Sequence, residues 1–335
     1  MKLLITGAAG FIGMHAAFRF LSDRCEVVGL DNINSYYDVS LKHARLKELG
    51  ISSGAFRYNQ MISGVNGFRF IQLDLCDAGN MMALFATEKF DAVVHLAAQA
   101  GVRFSITNPR DYIDSNITGF FNLLEAVRAF PVQHFIYASS SSVYGNSHDV
   151  PFSVSNNTNT PVSLYAATKK TNELLAYTYS HLYGIPATGL RFFTVYGPWG
   201  RPDMAYYSFA ENIINGRPIK LYNNGQLKRD FTYIDDITES LSRLLPQYPD
   251  GSPPCRLLNI GRSCPEDLGT FVGILERYLG RSAQTEFLPM QPGDVYLTYS
   301  DTSDIEKLTG FKPQINLDEG LRRFVDWYVG AKNDG

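Results

Sequence analysis

Short apolar runs rich in β-branched residues alternate with helix-like segments along this chain. The runs are KLLITG, CEVVGLDN, FRFIQLDL, DAVVHLAA, HFIYASSS and ATGLRFF, and RLLNIG at residues 256–261 is a candidate further strand. This alternation predicts a doubly wound parallel sheet flanked by helices, the α/β class. The strongest helix candidates are Phe11–Asp23, Asp111–Phe130, Ser163–Tyr183 and Asp235–Leu245.

The alternation ends at about Pro198, where glycine and proline become more frequent. We therefore expect a smaller lobe around the carboxyl edge of the sheet, which is where doubly wound sheets bind ligands. The predicted division is a nucleotide-binding domain at residues 1–197, with contributions from about 230–262, and a mainly substrate-binding lobe at 198–335. Residues 50–67 lack clear periodicity and predict a surface excursion or flexible loop.

Composition excludes several classes of protein. The chain has 335 residues and a net charge of −3, which gives no general reason to expect nucleic-acid binding. No apolar run approaches the ~20 residues that span a bilayer, and the first strand begins at Lys2, so we expect neither a membrane segment nor a signal peptide. The four cysteines have no CxxC or zinc-ligand spacing. We expect reduced thiols, no metal site and a cytoplasmic protein.

A glycine-rich turn lies between the first strand and the first helix. Gly7, Gly10 and Gly13 form GxxGxxG between LLIT and FIGMHAAFRF. Such a turn places a helix N-terminus against a dinucleotide pyrophosphate, although a simple tight turn gives the same pattern. Asp31 ends the next strand, 18 residues after Gly13, where a ribose-binding carboxylate is expected. A carboxylate there repels a 2′-phosphate and favours NAD over NADP, whereas the alternative is a turn residue at the end of a strand.

Further candidates for nucleotide contact follow the next two strands. Asp74 is placed to bond the adenine amino group, or is structural. HLAAQ ends the fourth strand in small residues that allow close approach of a cofactor, and we expect its His95 to pack in the core. The predicted cofactor contacts are Gly7, Gly10, Phe11, Ile12, Gly13, Asp31, Asn32, Asp74, Leu75, Leu96, Ala97, Ala98, Tyr165 and Lys169.

A serine run and a YxxxK pair supply candidate catalytic groups. The fifth strand ends in Ser139–Ser142, and strand alternation would turn Ser140 and Ser142 to one face. Tyr165 and Lys169 are four residues apart and share a helix face. A nearby ammonium lowers the pKa of a tyrosine, so Tyr165 is the predicted base, with Lys169 also bonding the nicotinamide ribose. These groups beside a dinucleotide predict hydride chemistry at a carbon that bears a hydroxyl.

The order of these motifs resembles the extended short-chain dehydrogenase/reductase superfamily, and within it the nucleotide-sugar epimerases. The sequence is most similar to UDP-glucuronate 4-epimerases in RFFTVYGPWGRPDMA at 191–205, in NNGQLKRDFTYIDD at 223–236, and in DNINSYYDVSLK and MQPGDV. The resemblance implies a Rossmann-like fold with tightly bound NAD. It also implies interconversion of UDP-glucuronate and UDP-galacturonate through transient oxidation at C4.

The resemblance assigns roles residue by residue. It makes Ser140 the catalytic serine, Tyr165 the base and Lys169 its modulator, with Ser142 as a further catalytic candidate. Four residues would contact the substrate: Thr194 and Arg201 at its carboxylate, and Arg229 and Asp294 at the nucleotide. A homodimer through Asp111–Phe130 and Ser163–Tyr183 is also implied, although the apolar face of the second segment would equally suit a core helix.

Some positions depart from the patterns of related families. UDP-glucose 4-epimerases usually carry asparagine at the position of Thr194 and arginine at that of Gln291, so a neutral hexose is disfavoured. UDP-glucuronate decarboxylases and sugar dehydratases usually carry an acid at the position of Ser142, which disfavours these alternatives. A regulatory protein that binds NAD without catalysis typically loses the tyrosine or the lysine, and both are present here.

Overall fold

The structure is a computed structural model that describes residues 1–52, 54, 56–290 and 296–333. Its strands are β1 Lys2–Thr6, β2 Glu26–Asp31, β3 Met61–Ser63, β4 Arg69–Gln72, β5 Ala92–His95, β6 His134–Ser140, β7 Ala187–Phe192, β8 Thr194–Tyr196, β9 Ile219–Tyr222, β10 Lys228–Tyr233, β11 Cys255–Ile260, β12 Pro265–Asp267 and β13 Thr285–Leu288. Its helices are α1 Phe11–Ser22, α2 Val39–Glu48, α3 Ala78–Glu88, α4 Phe104–Thr107, α5 Pro109–Ile113, α6 Gly119–Ala129, α7 Leu164–Tyr183, α8 Ala205–Ile214, α9 Ile234–Leu244, α10 Leu268–Leu279, α11 Ser303–Thr309 and α12 Leu317–Asn333.

The main sheet contains eight strands in the order β11-β7-β6-β5-β1-β2-β4-β3. All neighbours are parallel except β3 and β4, which are antiparallel. The chain moves outward from β1 through β2 to β4, and then returns to the other side of β1 at β5. The carboxyl ends of β1 and β5 therefore flank a topological switch point, where doubly wound sheets bind ligands. The predicted Rossmann-like α/β fold is confirmed.

Alternating side chains bury both faces of this sheet. Leu3 and Ile5 contribute to one apolar core with α1 and α9, whereas Leu4 contributes to the other core with α3, α6 and α7. Such continuous burial explains why the strand sequences are apolar runs rather than polar–apolar alternations. The candidate strand at residues 256–261 forms β11, the edge strand beside β7.

Two further small sheets lie in the later part of the chain. One has the order β12-β10-β8, with β8 and β10 parallel, and the other pairs β9 with β13. Both β8 and β10 belong to motifs quoted above, RFFTVYG and RDFTYIDD. Their pairing therefore brings two distant sequence motifs together.

Two predictions about local structure need correction. The segment predicted as one helix at Asp111–Phe130 contains a π-helical turn, Asp114–Thr118, between α5 and α6. The turn lies where Asn116 bonds the backbone of Gln99 and the hydroxyl of Thr168. The 50–67 segment is not simply a loop, because β3 adds an antiparallel edge strand there and Tyr58 bridges to Gln72.

Candidate active site

A cavity of about 1130 Å³ opens at the carboxyl edge of the main sheet. It extends from the glycine-rich turn, past the end of β6 and α7, to β8 and β10. The structure brings all but one of the predicted site residues to its walls: Gly7, Gly10, Phe11, Ile12, Gly13, Asp31, Asn32, Asp74, Leu75, Leu96, Ala97, Ala98, Ser140, Ser142, Tyr165, Lys169, Thr194, Arg201 and Arg229. The remaining candidate, Asp294, lies outside the described residues, as does Gln291.

The glycine-rich turn is too tight for side chains. Gly7 has a φ of +76°, and a Cβ on Gly13 would lie 2.0 Å from the Gly7 carbonyl oxygen. Gly10 precedes α1 and provides no side-chain cap. The first backbone N–H groups of α1 therefore face the cavity without an intrahelical acceptor, an arrangement suited to a pyrophosphate. The residues present fit a dinucleotide.

Acidic and amide side chains line the cavity beyond this turn. The Asp31 carboxylate accepts hydrogen bonds from the backbone N–H groups of Ala9, at 3.1 Å, and Ile33, at 2.8 Å. Asp31 is therefore also the turn residue that the alternative interpretation describes. Since a carboxylate has about four acceptor sites, capacity for a ribose diol remains. The Asn32 amide donates to Asp74 at 2.8 Å, which connects the two neighbouring strand ends.

The serine run divides into two environments. Ser139 donates to the buried Glu173 at 2.7 Å, whereas Ser140 and Ser142 line the cavity with their hydroxyl oxygens 3.1 Å apart. Ser140 and Ser142 were predicted to share a face because side chains alternate along a strand. That explanation is wrong for Ser142, which lies beyond the end of the strand. The strand β6 ends at Ser140, and a 3₁₀ turn at Ser141–Tyr144 returns Ser142 to Ser140. The Ser142 N–H donates to the Ser140 hydroxyl at 3.1 Å.

Tyr165 and Lys169 lie in the first turns of α7. Ser163 caps this helix by accepting a hydrogen bond from the Ala166 N–H at 3.1 Å. The Lys169 ammonium is 2% exposed and donates to the Ala138 carbonyl at 2.8 Å. Burial lowers the pKa of Lys169 to about 8. The ammonium has three donors, so two remain for groups in the cavity.

The pKa of Tyr165 is raised in this structure, and the role of Lys169 as its modulator stays a prediction. Burial raises the pKa of Tyr165, and two groups oppose this rise, a hydrogen bond from Ser140 and the positive charge of Arg201. The charge of Arg201 therefore favours the Tyr165 phenolate. The phenol ring lies edge-on to Tyr112, with ring centres 6.1 Å apart.

Arg201 is held by two residues that the sequence analysis did not single out. Its Nε donates to Asp203 at 3.0 Å, and its Nη2 donates to the other oxygen of the same carboxylate. Tyr36 donates its hydroxyl to Asp203 at 3.1 Å, and the guanidinium lies 6.0 Å from the centre of the Tyr36 ring. Asp203 takes two of the five guanidinium donors, which leaves three for other acceptors. Burial opposes the charge of Arg201, yet the pKa of Arg201 is raised, chiefly by Asp203.

Thr194 and Arg229 are brought together by the pairing of β8 with β10. Thr194 is opposite Phe231 in this register, two residues from Arg229. Arg229 donates through Nη1 to the backbone carbonyls of Lys228 and Tyr296. Both residues line the cavity on the side away from the glycine-rich turn.

Other lining residues were also missed from the sequence. The Lys42 ammonium is buried and donates to the backbone and side-chain oxygens of Asn34, both at 2.8 Å. It lies eleven residues after Asp31, and α2 returns it to the cavity. Arg103 stacks over the Tyr222 ring at 4.7 Å. Lys42 is the last residue of the motif DNINSYYDVSLK, but its spacing from Asp31 does not indicate that α2 returns it to the cavity.

Three further findings concern the described part of the chain. It contains no group of three or more His, Cys, Asp or Glu side chains placed to hold a metal ion. None of its helices combines the length and apolar character that a membrane crossing requires. His95 is buried with Nδ1 2.8 Å from the Thr6 hydroxyl, as a core residue should be.

Residues 3–261 match the family model of the NAD dependent epimerase/dehydratase family. The chain belongs to this family, which confirms the predicted superfamily and NAD dependence. It is 49% identical to the protein CapI of Staphylococcus aureus over 98% of both chains. It is 43% identical to a probable UDP-glucuronate 4-epimerase of Rhizobium meliloti, over 98% of this chain and 97% of the relative.

Solved structures support the same relationship. The fold matches a UDP-glucuronic acid 4-epimerase of Bacillus cereus in complex with UDP-glucuronic acid and NAD. The TM-score is 0.88, with 32% identity over 99% of this chain and 100% of the other.

Proposed function

We propose that this protein is a UDP-glucuronate 4-epimerase that interconverts UDP-glucuronate and UDP-galacturonate. One observation carries the proposal: a single cavity contains the glycine-rich turn, the Ser140–Tyr165–Lys169 group and Arg201. The relatives named above support this substrate, since the Rhizobium meliloti and Bacillus cereus proteins carry the same activity in their names.

When bound, NAD⁺ would supply reversible hydride acceptance at C4, with the hydride returned to the opposite face of the sugar. The first N–H groups of α1 would hold its pyrophosphate, and Asp31 its adenosine ribose. The buried Lys169 ammonium would hold the nicotinamide ribose with a donor that Ala138 does not use.

Tyr165 removes the proton from the sugar O4 and later returns it. Its pKa is raised by burial, so the groups that favour its phenolate matter. The Ser140 hydroxyl has one proton, which can go to Tyr165 or to the Ser142 hydroxyl 3.1 Å away, and it accepts a hydrogen bond from the Ser142 N–H. Either hydroxyl could therefore rotate to donate to the substrate oxygen. Oxidation at C4 gives a 4-keto sugar, which must turn over before it is reduced on its other face.

The uronate carboxylate needs a fixed position during this turnover. A 4-keto uronate is a β-keto acid, and it loses carbon dioxide when its C5–C6 bond aligns with the carbonyl π system. Arg201 has three donors beyond those that bond Asp203, and Thr194 adds a hydroxyl on the same wall. Together they would hold the carboxylate out of alignment. Arg229 and Asp294 would contact the nucleotide.

The main alternative is a UDP-glucuronate decarboxylase, which shares the cofactor and the first step. The Ser140–Ser142 turn carries no carboxylate. Among the described residues, the carboxylates that line the cavity are Asp31, Asp74 and Asp203. The first two lie at the nucleotide end, and Asp203 is paired with Arg201. This distribution favours epimerisation.

Product analysis tests the proposal. Purified protein is incubated with UDP-glucuronate without added NAD⁺, and the products are separated by chromatography with mass detection. We expect UDP-galacturonate, formed by wild type and not by a Tyr165→Phe control. Release of a UDP-pentose would instead identify a decarboxylase, and an unchanged substrate would favour a non-catalytic protein.

The division into lobes remains part of this proposal. Residues 1–197 with about 230–262 would bind NAD, and 198–335 would mainly bind the UDP-sugar. The edge strand β11 belongs to the main sheet and α9 packs with α1, which supports the contribution of the later segment.

The protein is further proposed to be a cytoplasmic homodimer. The four cysteines are free thiols, as a reducing compartment requires. Helices α6 and α7 both carry exposed apolar side chains, with Phe121 44%, Leu174 58% and Tyr177 53% exposed. Light scattering should give a dimer mass for wild type. Leu174→Glu should reduce it, whereas Phe287→Glu, at another exposed apolar side chain, should not. A monomeric wild type would contradict the proposal.

A further inference from the structure

Arg45 is a fully buried arginine on α2. No ion pair of Arg45 is found among the described residues. Its donors go instead to uncharged oxygens: Nε and Nη2 to the Trp199 carbonyl at 2.9 and 2.7 Å, Nη2 to the Gly200 carbonyl at 3.0 Å, and Nη1 to the Ala9 carbonyl at 3.1 Å and to the Tyr37 hydroxyl. All five guanidinium donors are used.

These acceptors belong to two parts of the candidate site. Ala9 is in the glycine-rich turn, whereas Trp199 and Gly200 immediately precede Arg201. Another group from the nucleotide side reaches the same segment, since His15 Nε2 donates to the Pro198 carbonyl at 3.0 Å. The buried guanidinium therefore connects the turn that fits a pyrophosphate to the turn that carries Arg201.

The second turn has a conformation that needs such support. Trp199 has a φ of +61°, which is unfavourable for a bulky side chain. Gly200 cannot carry a side chain, because a Cβ there would lie 2.1 Å from the Tyr206 hydroxyl. Strained backbone persists only where its surroundings fix it. The two bonds from Arg45 to the Trp199 carbonyl, and a third to Gly200, act at this point.

We propose that Arg45 is a positioning residue, which fixes the Trp199–Gly200 turn to the glycine-rich turn and thereby directs Arg201 at the substrate carboxylate. This inference rests on the proposed role of Arg201. It explains why a buried arginine is present without a carboxylate partner. The backbone carbonyls of two separate turns can be bonded at once by a planar guanidinium, which has five donors in fixed directions. Lysine has the charge but only three donors from one atom, so it cannot span both turns.

The first experiment observes the turn itself. Trp199 is one of two tryptophans, and Trp327→Phe leaves it as the single fluorophore. In this background Arg45→Lys should increase acrylamide quenching of Trp199 about twofold. Arg256→Lys is the control, since the partly buried Arg256 on β11 also donates to a carbonyl and a hydroxyl. Equal quenching in the Arg45 and Arg256 variants would overturn the proposal.

The second experiment asks whether Arg45 acts through Arg201. Arg45→Lys should raise the KM for UDP-glucuronate about tenfold, with the bound NAD content unchanged. In an Arg201→Ala background the same change should raise KM by less than twofold, because coupled residues are not additive. Additive effects, or a KM rise that follows loss of NAD, would overturn the positioning role.

Two outcomes separate this inference from the proposed function. If Arg201→Ala leaves the KM unchanged, Arg201 does not bind the carboxylate, and the proposed effect of Arg45 on substrate binding is refuted. The quenching experiment still tests separately whether Arg45 fixes the Trp199–Gly200 turn. If Arg45→Lys does not fold, because burial of the compact, strongly hydrated ammonium is too unfavourable, Arg45→Met replaces it. The methionine has similar length and no buried charge. The same quenching and KM results are expected for it, and their absence would refute the proposal.

Discussion

Replacing Arg201 by alanine should separate charged from neutral substrates. The guanidinium is held by Asp203 through Nε and Nη2, so its remaining three donors are directed elsewhere. If these donors bind the uronate, the variant loses a charge-assisted pair. It also leaves the Asp203 carboxylate, 30% exposed in its side chain, without its partner in the same cavity.

The magnitude follows from these two effects. Loss of a charge-assisted hydrogen bond costs about 1.5–3 kcal/mol, which corresponds to an increase in KM of about ten- to a hundredfold. The remaining Asp203 carboxylate then repels the uronate and adds to the loss. Arg201→Ala/Asp203→Asn removes this repulsion. We therefore expect KM to be highest in Arg201→Ala, lower in the double variant and lowest in wild type.

The assay compares UDP-glucuronate with UDP-glucose, which carries a neutral hydroxymethyl group at C5. KM is measured for the first nucleotide sugar, and the inhibition constant for the second as a competitive ligand. Only the first should weaken substantially. Products are resolved at the same time, because a carboxylate that is no longer fixed can align C5–C6 with the C4 carbonyl. The fraction of turnovers that end in carbon dioxide and UDP-4-keto-pentose should rise.

Three results would refute this reasoning. An equal loss for UDP-glucuronate and UDP-glucose would show that Arg201 supports the shared nucleotide or the fold. An unchanged KM without keto-pentose would place the carboxylate elsewhere, and Thr194 and Ser142 would be tested next. A double variant weaker than Arg201→Ala would show that Asp203 does not repel the substrate.

Three other predictions concern the base, the cofactor and the pH dependence of stability. Tyr165→Phe should lower kcat about 100- to 10,000-fold with NAD still bound, and activity within a few-fold of wild type would exclude Tyr165 as the base. NAD rather than NADP should be released on denaturation, as measured by mass spectrometry. Release of mainly NADP would contradict the role of Asp31 and would indicate that a cation such as the nearby Lys42 pairs with the 2′-phosphate. Burial lowers the pKa values of His95 to about 3 and His134 to about 4, so the unfolded chain binds protons at a higher pH than the fold does. Stability present above pH ~6.5 is therefore lost as the pH falls, by about 2 kcal/mol per histidine between pH 7 and 5. Urea unfolding of wild type and His134→Gln should differ in this dependence by that amount, and parallel curves would contradict it.

The sheet could be predicted because its signal is local. Each strand of the parallel core is an apolar run, since both faces of the sheet are buried. The apolar runs identified in the sequence, such as KLLITG, all form strands of this sheet. Two local features were beyond such patterns. The π-helical turn at Asp114–Thr118 depends on the buried bonds of Asn116 to Gln99 and Thr168, which come from other elements. The edge strand β3 depends on its pairing with β4.

The candidate site was predictable where motifs carry their own chemistry, and less so where groups meet across the fold. The glycine-rich turn, Asp31, Tyr165 and Lys169 are each defined by spacing from a strand or along one helix. Ser142 was placed correctly for the wrong reason, because strand alternation was continued past the end of β6. Arg45 and Asp203 gave no interpretable signal, since each also bonds a group far away in the sequence, Arg45 the Gly200 carbonyl 155 residues on and Asp203 the Tyr36 hydroxyl 167 residues back.

The charges around Tyr165 show why pairwise spacing is an incomplete guide to chemistry. Tyr165 and Lys169 share a helix face, yet the Lys169 ammonium is directed to the Ala138 carbonyl and its own pKa is lowered by burial. Arg201, 36 positions further along the chain than Tyr165, supplies the charge that favours the phenolate. If Arg201 also binds the uronate, the substrate carboxylate would screen this charge and weaken its effect on the base. The Lys169 ammonium, one turn further along α7, would then be a protein cation that still favours the phenolate. The phenolate would therefore be favoured by Arg201 before the substrate binds and by Lys169 once the uronate carboxylate is paired with Arg201.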